Sequence, residues 1–413
     1  MRCLIAILLF SVSLSGLERG AAILIGDTYT REHWSCSSAN TNGASQSCPS
    51  GYASYYPVGD YIGVPYKWGG FDSMEQFRDK ISQGYGAGSY SSDGVLSCIT
   101  GVDCSGYVSR CWEQTSKYGT STISGISSSL GSTDDMKKAD AFNKAGSHIV
   151  MLTYYHRDGA PVIMEAAGGD YRKAVFRKTT WSYLNGYVPT RYDNIENDTN
   201  VEGTISNPIK IDSFPFSNSG NTRNMFSLEI DSYSAQPETN ETGPEVIYEF
   251  TVSTPGNIDI SVTDIQNEDI DNDIHLLSSL DLDNDKMAVD TLARDDHNII
   301  MHIDAGTYYI VVDSFSSSGN DRPGEFTMSA SFEADAVSVD EDNETPDDET
   351  VDENSQMDEN TENDESQTVD EEITPDEDNS TQNDTAVSID EESQATSDDE
   401  IQTKDAGCGI LII

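Results

Sequence analysis

A thiol, an imidazole and a carboxylate in the first half of the chain have the types and spacing for nucleophilic chemistry. Cys104 stands in Gly101-Val102-Asp103-Cys104-Ser105-Gly106-Tyr107-Val108, and Cys104, Tyr107, Val108, Cys111, Trp112 and Thr115 recur at the spacing of one helical face. Cys104 is therefore expected in the first turn of a buried helix. There the unpaired backbone amides and the positive end of the helix dipole favour the thiolate, the reactive form of the side chain. His148 opens an alternating run in which His148, Val150, Leu152 and Tyr154 share one face of a strand. A four-residue hairpin loop at His156-Arg157-Asp158-Gly159 returns the chain through Pro161 to Ala166. That register sets Glu165 diagonally across from His148, about 7 to 8 Å away at Cα, where a carboxylate can orient the imidazole and stabilise its cation. A shorter turn at Asp158-Gly159 would spread the pair and call for a bulge or another orienting residue. His156 falls about 26 Å along the strand from His148, at about 3.3 Å per residue, and is left out of the site.

Four segments around these residues resemble the NlpC-type cysteine peptidases: Gly63-Val64-Pro65-Tyr66-Lys67-Trp68-Gly69-Gly70, then Asp103-Cys104-Ser105-Gly106, then Ala145-Gly146-Ser147-His148-Ile149-Val150-Met151-Leu152, then Val162-Ile163-Met164-Glu165-Ala166. The resemblance implies a papain-like α+β catalytic domain, with Cys before His before a third polar residue, that cuts peptidoglycan stem peptides. It also implies acyl transfer: Cys104 attacks an amide carbonyl, Tyr66 and the Cys104 amide hold the oxyanion, and His148 protonates the leaving amine. Water then resolves the thioester, and neither a metal nor another cofactor is required. Two departures from the family stand out. The third polar position, usually His, Asn or Gln, is Glu165, and the stretch from Phe71 to Thr100 is longer than the usual link and could wall the cleft. An amidase or acyltransferase could use the same thiolate.

These groups need a scaffold, and composition divides the 413 residues unevenly. Residues 1–22 read as an export signal, with Arg2 before the apolar run Leu4 to Leu14 and a cleavage site at Gly20, Ala21 and Ala22. The run is too short to span a bilayer, which takes about 20 residues, so a secreted, periplasmic or cell-surface protein without a transmembrane segment is expected. Residues 23–195, nearly balanced in charge and rich in Trp and Tyr, form the catalytic domain, and 196–207 a linker. Residues 208–335 are acidic, with short β-rich runs such as Val246 to Val252 and Tyr308 to Val312, and read as an all-β sandwich. Residues 336–413 form a disordered acidic low-complexity tail that carries about half of the net charge of −50. Such acidity argues against nucleic acid or anionic membrane as partners. A monomer is expected.

The runs Pro244 to Phe250, Asp271-Asn272-Asp273-Ile274-His275-Leu276 and Ala305 to Asp313 resemble the bacterial pre-peptidase C-terminal domain, which accompanies secreted hydrolases and carries no catalysis. Asp269, Asp271, Asp273 and Asp313 are candidate calcium ligands there, alongside the reading of a solvated acidic loop. Cys36 and Cys48 are expected to form a local disulfide and Cys98 and Cys111 a second, which leaves Cys104 as a thiol in an oxidising compartment. Cys3 departs with the signal, and Cys408 has no assigned role. The rival to an enzyme is an inactive surface or matrix binding module that acts through the sandwich and tail.

Overall fold

Helix α1 spans Arg19–Thr30, α2 spans Met74–Ser82 and α3 spans Cys104–Cys111. These belong to a computed structural model that describes residues 16–336 apart from 225 and 266–268. Asp103 caps α3: its Oδ1 accepts from the amide of Gly106 at 2.7 Å and from the Ser105 hydroxyl at 3.0 Å. Its other oxygen accepts from the Gly69 amide at 3.0 Å and pairs with Lys117. The cap residue thus ties the helix start to the Gly69-Gly70 turn. A Cβ on Gly106 would lie 2.0 Å from the Gly70 carbonyl oxygen, and Gly69 takes a φ of +73°, so two backbones meet where side chains would not fit.

Six antiparallel strands carry the rest of the first half: β1 (Ser127–Ser129), β2 (Ala141–Lys144), β3 (His148–Tyr155), β4 (Pro161–Ala166), β5 (Ala174–Lys178) and β6 (Val188–Tyr192). Their order across the sheet is β5-β4-β3-β2-β6-β1. Alternation splits β3 between two cores. Ile149 and Met151 pack with α1 and α3, while Val150 and Leu152 pack with Phe142, Ile163 and Leu184. The hairpin from β3 to β4 is tighter than the four-residue loop expected from the sequence, because the His156 amide bonds the Ala160 carbonyl. A register shift between Leu152 and Tyr154 then restores the pairing Met151 to Met164.

In the second half β7 (Ile209–Ile211), β9 (Glu245–Val252), β14 (Gly306–Ser314), β11 (Asn272–Leu277) and β12 (Thr291–Asp295) form a five-stranded sheet in that order. Strands β8 (Phe216–Asn221), β15 (Glu325–Ala334), β10 (Gly256–Asp264) and β13 (Asn298–Ile303) form a four-stranded one. Val246, Tyr248, Ile310 and Val312 of the first share one core with Ile258, Ile260, Phe326 and Met328 of the second. The halves meet through buried charge. Asp27 of α1 bonds Arg31 at 2.7 Å, Arg223 at 2.6 Å and Asn221 at 2.8 Å. Burial raises the Asp27 carboxyl, but the two guanidinium groups outweigh it and hold it below its ordinary value.

Several expectations are corrected. The described residues are mostly β, 40% strand against 14% helix, and no papain-like α+β catalytic domain is found among them. Helical periodicity in this Gly- and Ser-rich sequence persists only for the 12, 9 and 8 residues of the three described α-helices. The single disulfide among the described residues joins Cys48 to Cys98, in place of the pairs Cys36–Cys48 and Cys98–Cys111. It closes the Asn42–Gln46 loop onto the segment after α2, so the long link from Phe71 to Thr100 contains a capped helix and a pinned loop. Residues Gly20 to Ala22 lie in the first turn of α1, where Arg19 pairs with buried Asp140 at 2.8 Å and Ala22 is in the core. Residues 1–15, the tail beyond 336, Cys3 and Cys408 lie outside the described residues.

The close contact of Gly106 with Gly70 generates a test. Gly106→Ala should destabilise the fold by about 1 to 3 kcal/mol through overpacking at the helix start, read from the denaturant midpoint.

Candidate active site

Of the four residues singled out in the sequence, His148 and Glu165 meet on the six-stranded sheet, and Cys104 and Tyr66 lie in the core that α1 and α3 share. Cys104 is the first residue of α3 and is fully buried among Tyr66, Val102, Tyr107 and Val108. Tyr66 bridges Val102, two residues before Cys104, and its ring lies 3.7 Å from where Gly168 would carry a side chain. The amide of Tyr66 donates to the Arg172 carbonyl at 2.7 Å. His148 opens β3, and its side chain keeps 17% of its surface exposed.

Glu165 is where the register expectation put it. Continuing the pairing of Met151 with Met164 sets Glu165 opposite Val150, two residues from His148 and on its face. His148 Nε2 lies 2.5 Å from Glu165 Oε2. With Nε2 engaged by the carboxylate, Nδ1 is the ring nitrogen not bonded to Glu165. The other oxygen of Glu165 accepts from Arg177 Nε at 2.8 Å and Nη2 at 2.5 Å, and the Tyr183 hydroxyl donates to Oε2 at 2.9 Å. Burial pushes the Glu165 carboxyl up, but the hydrogen bond and charge of His148, then Arg177, pull it down to about 2.

Tyr187 packs against the imidazole of His148. Its ring crosses that of His148 at 90° with centroids 6.4 Å apart. Burial raises its hydroxyl, and the charges of Glu165 and Cys104 add to the rise. Arg177, Tyr183 and Tyr187 were not found from the sequence. Arg177 reaches Glu165 only because β5 pairs with β4, placing Arg177 opposite Ile163 and Val175 opposite Glu165. The one sequence signal was the spacing of Tyr183 and Tyr187 in a turn-rich segment. Burial raises the thiols of Cys36 and Cys111, as befits inert core residues.

The other candidates do not join this group. His156 stands at the far end of β3, 2.8 Å from Asp158 and 3.4 Å from Asp321. The proposed calcium set is not assembled. Arg322 holds Asp269 at 3.4 Å and Asp271 at 3.2 Å, Arg294 pairs with Asp273, and Tyr233 donates to Asp313 at 2.6 Å. Among the described residues no group of three or more His, Cys, Asp or Glu side chains could hold a metal ion. No described helix is long and apolar enough to cross a membrane.

No family model matches the chain, and no curated protein matches it. Among solved structures, the pre-peptidase C-terminal domain of collagenase from Bacillus anthracis is similar over 33% of this chain and 99% of that one, at 18% identity and a TM-score of 0.19. The periplasmic inhibitor of g-type lysozyme from Aeromonas hydrophila is similar over 32% of this chain and 97% of its own, at 8% identity and a TM-score of 0.20.

The Glu165 carboxyl predicts an acid-dependent stability. Its folded-state value of about 2 lies below the ordinary 4.5, so its stabilisation is complete above pH 4.5 and is lost as pH falls through about 2. Glu165→Gln should cost on the order of 3 kcal/mol at neutral pH and flatten the decline on acidification, as measured by denaturant titrations at about pH 7 and about pH 3.

Proposed function

We propose that the chain is a cysteine-type hydrolase that cleaves amide bonds by acyl transfer. The observation that carries this reading is the buried Glu165 bound to His148, with the Tyr187 ring across the imidazole and Cys104 at the capped start of α3. A nucleophile needs a base, and the base needs an orienting group.

In this reading His148 Nδ1 takes the Cys104 proton, and the thiolate attacks the carbonyl carbon of an amide. The tetrahedral oxyanion is met by the amides of the first turn of α3 and by the Tyr66 hydroxyl. His148 returns the proton to the leaving nitrogen, the carbon–nitrogen bond breaks, and a thioester remains on Cys104. His148 then draws a proton from water, the hydroxide attacks the thioester, and the acid product leaves with the thiol restored. Glu165 keeps the imidazole in the tautomer that presents Nδ1 and stabilises its cation.

The resemblance of the segments around Tyr66, Cys104, His148 and Glu165 to NlpC-type enzymes supports stem peptides of peptidoglycan as the substrate class. Action outside the cell fits the Cys48–Cys98 disulfide. The complete burial of Cys104 favours the second reading, a binding module without catalysis, because attack requires access to the sulfur. For an enzyme, the segment carrying Tyr183 and Tyr187 must yield when substrate enters.

The test is release of new amino groups from purified peptidoglycan and from stem-peptide fragments, with Cys104→Ala and His148→Ala run beside the unaltered chain. The hydrolase reading expects cleavage that falls at least about 1,000-fold in either variant. No cleavage of walls of several chemotypes, or equal cleavage by Cys104→Ala, would overturn it.

A further inference from the structure

We propose that Arg177 is a positioning residue for this site: its guanidinium fixes the Glu165 carboxylate and neutralises its charge, so that His148 exchanges its proton with Cys104 instead of staying locked as the cation of a buried ion pair. The inference rests on the hydrolase reading and adds a fourth residue to it.

The geometry is particular. Nε and Nη2 of Arg177 both donate to Glu165 Oε1, while Oε2 takes His148 and the Tyr183 hydroxyl, so the carboxylate has four donors and no exposed surface. The guanidinium is itself held in place. It stacks on the Tyr183 ring at 4.5 Å and the Tyr171 ring at 5.2 Å, and Tyr183 therefore fixes both members of the pair. Rotation of Glu165 away from His148 would break contacts on both of its oxygens.

The electrostatic consequence follows from charge counting. A carboxylate without solvent demands a cation, and beside a lone imidazole it would take one by holding a proton on the ring. Arg177 supplies the cation permanently, since guanidinium does not titrate in the working range. The remaining groups that face His148 and Glu165 are Tyr183 and Tyr187 from the segment after β5 and Lys144 from β2, which pairs with His148 in the sheet. Lys144 Nζ lies 5.7 Å over the Tyr187 ring, near the half-exposed side of the site, and cannot replace a cation bonded to the buried oxygen. Removing Arg177 leaves His148 as the one group able to balance Glu165 from within.

The experiment reads the rate of Cys104 alkylation by iodoacetamide across about pH 4 to 10, resolved by peptide mass, for the unaltered chain and for R177M, R177K and H148A. His148 should impose an inflection on the profile that H148A abolishes. R177M should move that inflection to higher pH by about one unit or more, and R177K, which keeps the charge, should leave it within a few tenths of the unaltered position. A merely structural role would lower the rate without moving the inflection. An R177M inflection that coincides with the unaltered one, or an R177K shift as large as that of R177M, overturns the proposal. If R177M does not fold, the R177K position decides. Absence of any His148-dependent inflection in the unaltered chain would instead sink the hydrolase reading, so the two failures are distinct.

Discussion

A carboxylate sealed from water must be answered on every side before a sheet can close over it, and Glu165 is such a group. Its partners come from three places in the chain: His148 at the start of β3, Arg177 on β5 and Tyr183 in the following turn. Each depends on correct strand pairing. A slip of one residue between β3 and β4 would turn Glu165 to the face covered by α1 and α3, where Ile149, Met151 and Met164 pack and no cation waits. The same interaction therefore specifies the register of the sheet and fixes the imidazole that the proposed chemistry uses.

A second constraint fixes the start of the helix that carries the thiol. The start of α3 is wedged backbone to backbone against the Gly69-Gly70 turn, with Asp103 bonded to both. The glycines of the two motifs are therefore one packing unit, although about thirty residues separate them in sequence. Between them the disulfide Cys48–Cys98 and the capped helix α2 take up the intervening chain. The second half is anchored to this arrangement through Asp27 and Arg223, so the scaffold of the site extends beyond the residues expected to form it.

What could be read in the sequence was local. The N-cap at Asp103 and the helical face behind it announced where α3 begins, and alternation from His148 announced β3. Glu165 was placed correctly through a compensation that the sequence did not display: the turn is shorter than expected, and a bulge near Thr153 recovers the register. What could not be read depends on which distant segments meet. Cys48 pairs with Cys98 because two loops converge there, and Arg177 serves Glu165 because a third strand joins the hairpin. The papain-like fold class failed for the same reason. Motif spacing carried the resemblance, whereas the balance of strand and helix is set by how little of the chain sustains a helical face.

The central claim is that Cys104 is a thiol set up for chemistry and that Cys36 and Cys111 are packing residues. Brief native-state alkylation at neutral pH, mapped by peptide mass, tests it most directly, because all three thiols are buried and differ in their surroundings. The account predicts modification concentrated at Cys104 and sparing the other two until denaturant is added. A Cys104 that stays unmodified in the native state, reacting only when Cys36 and Cys111 do, would contradict it.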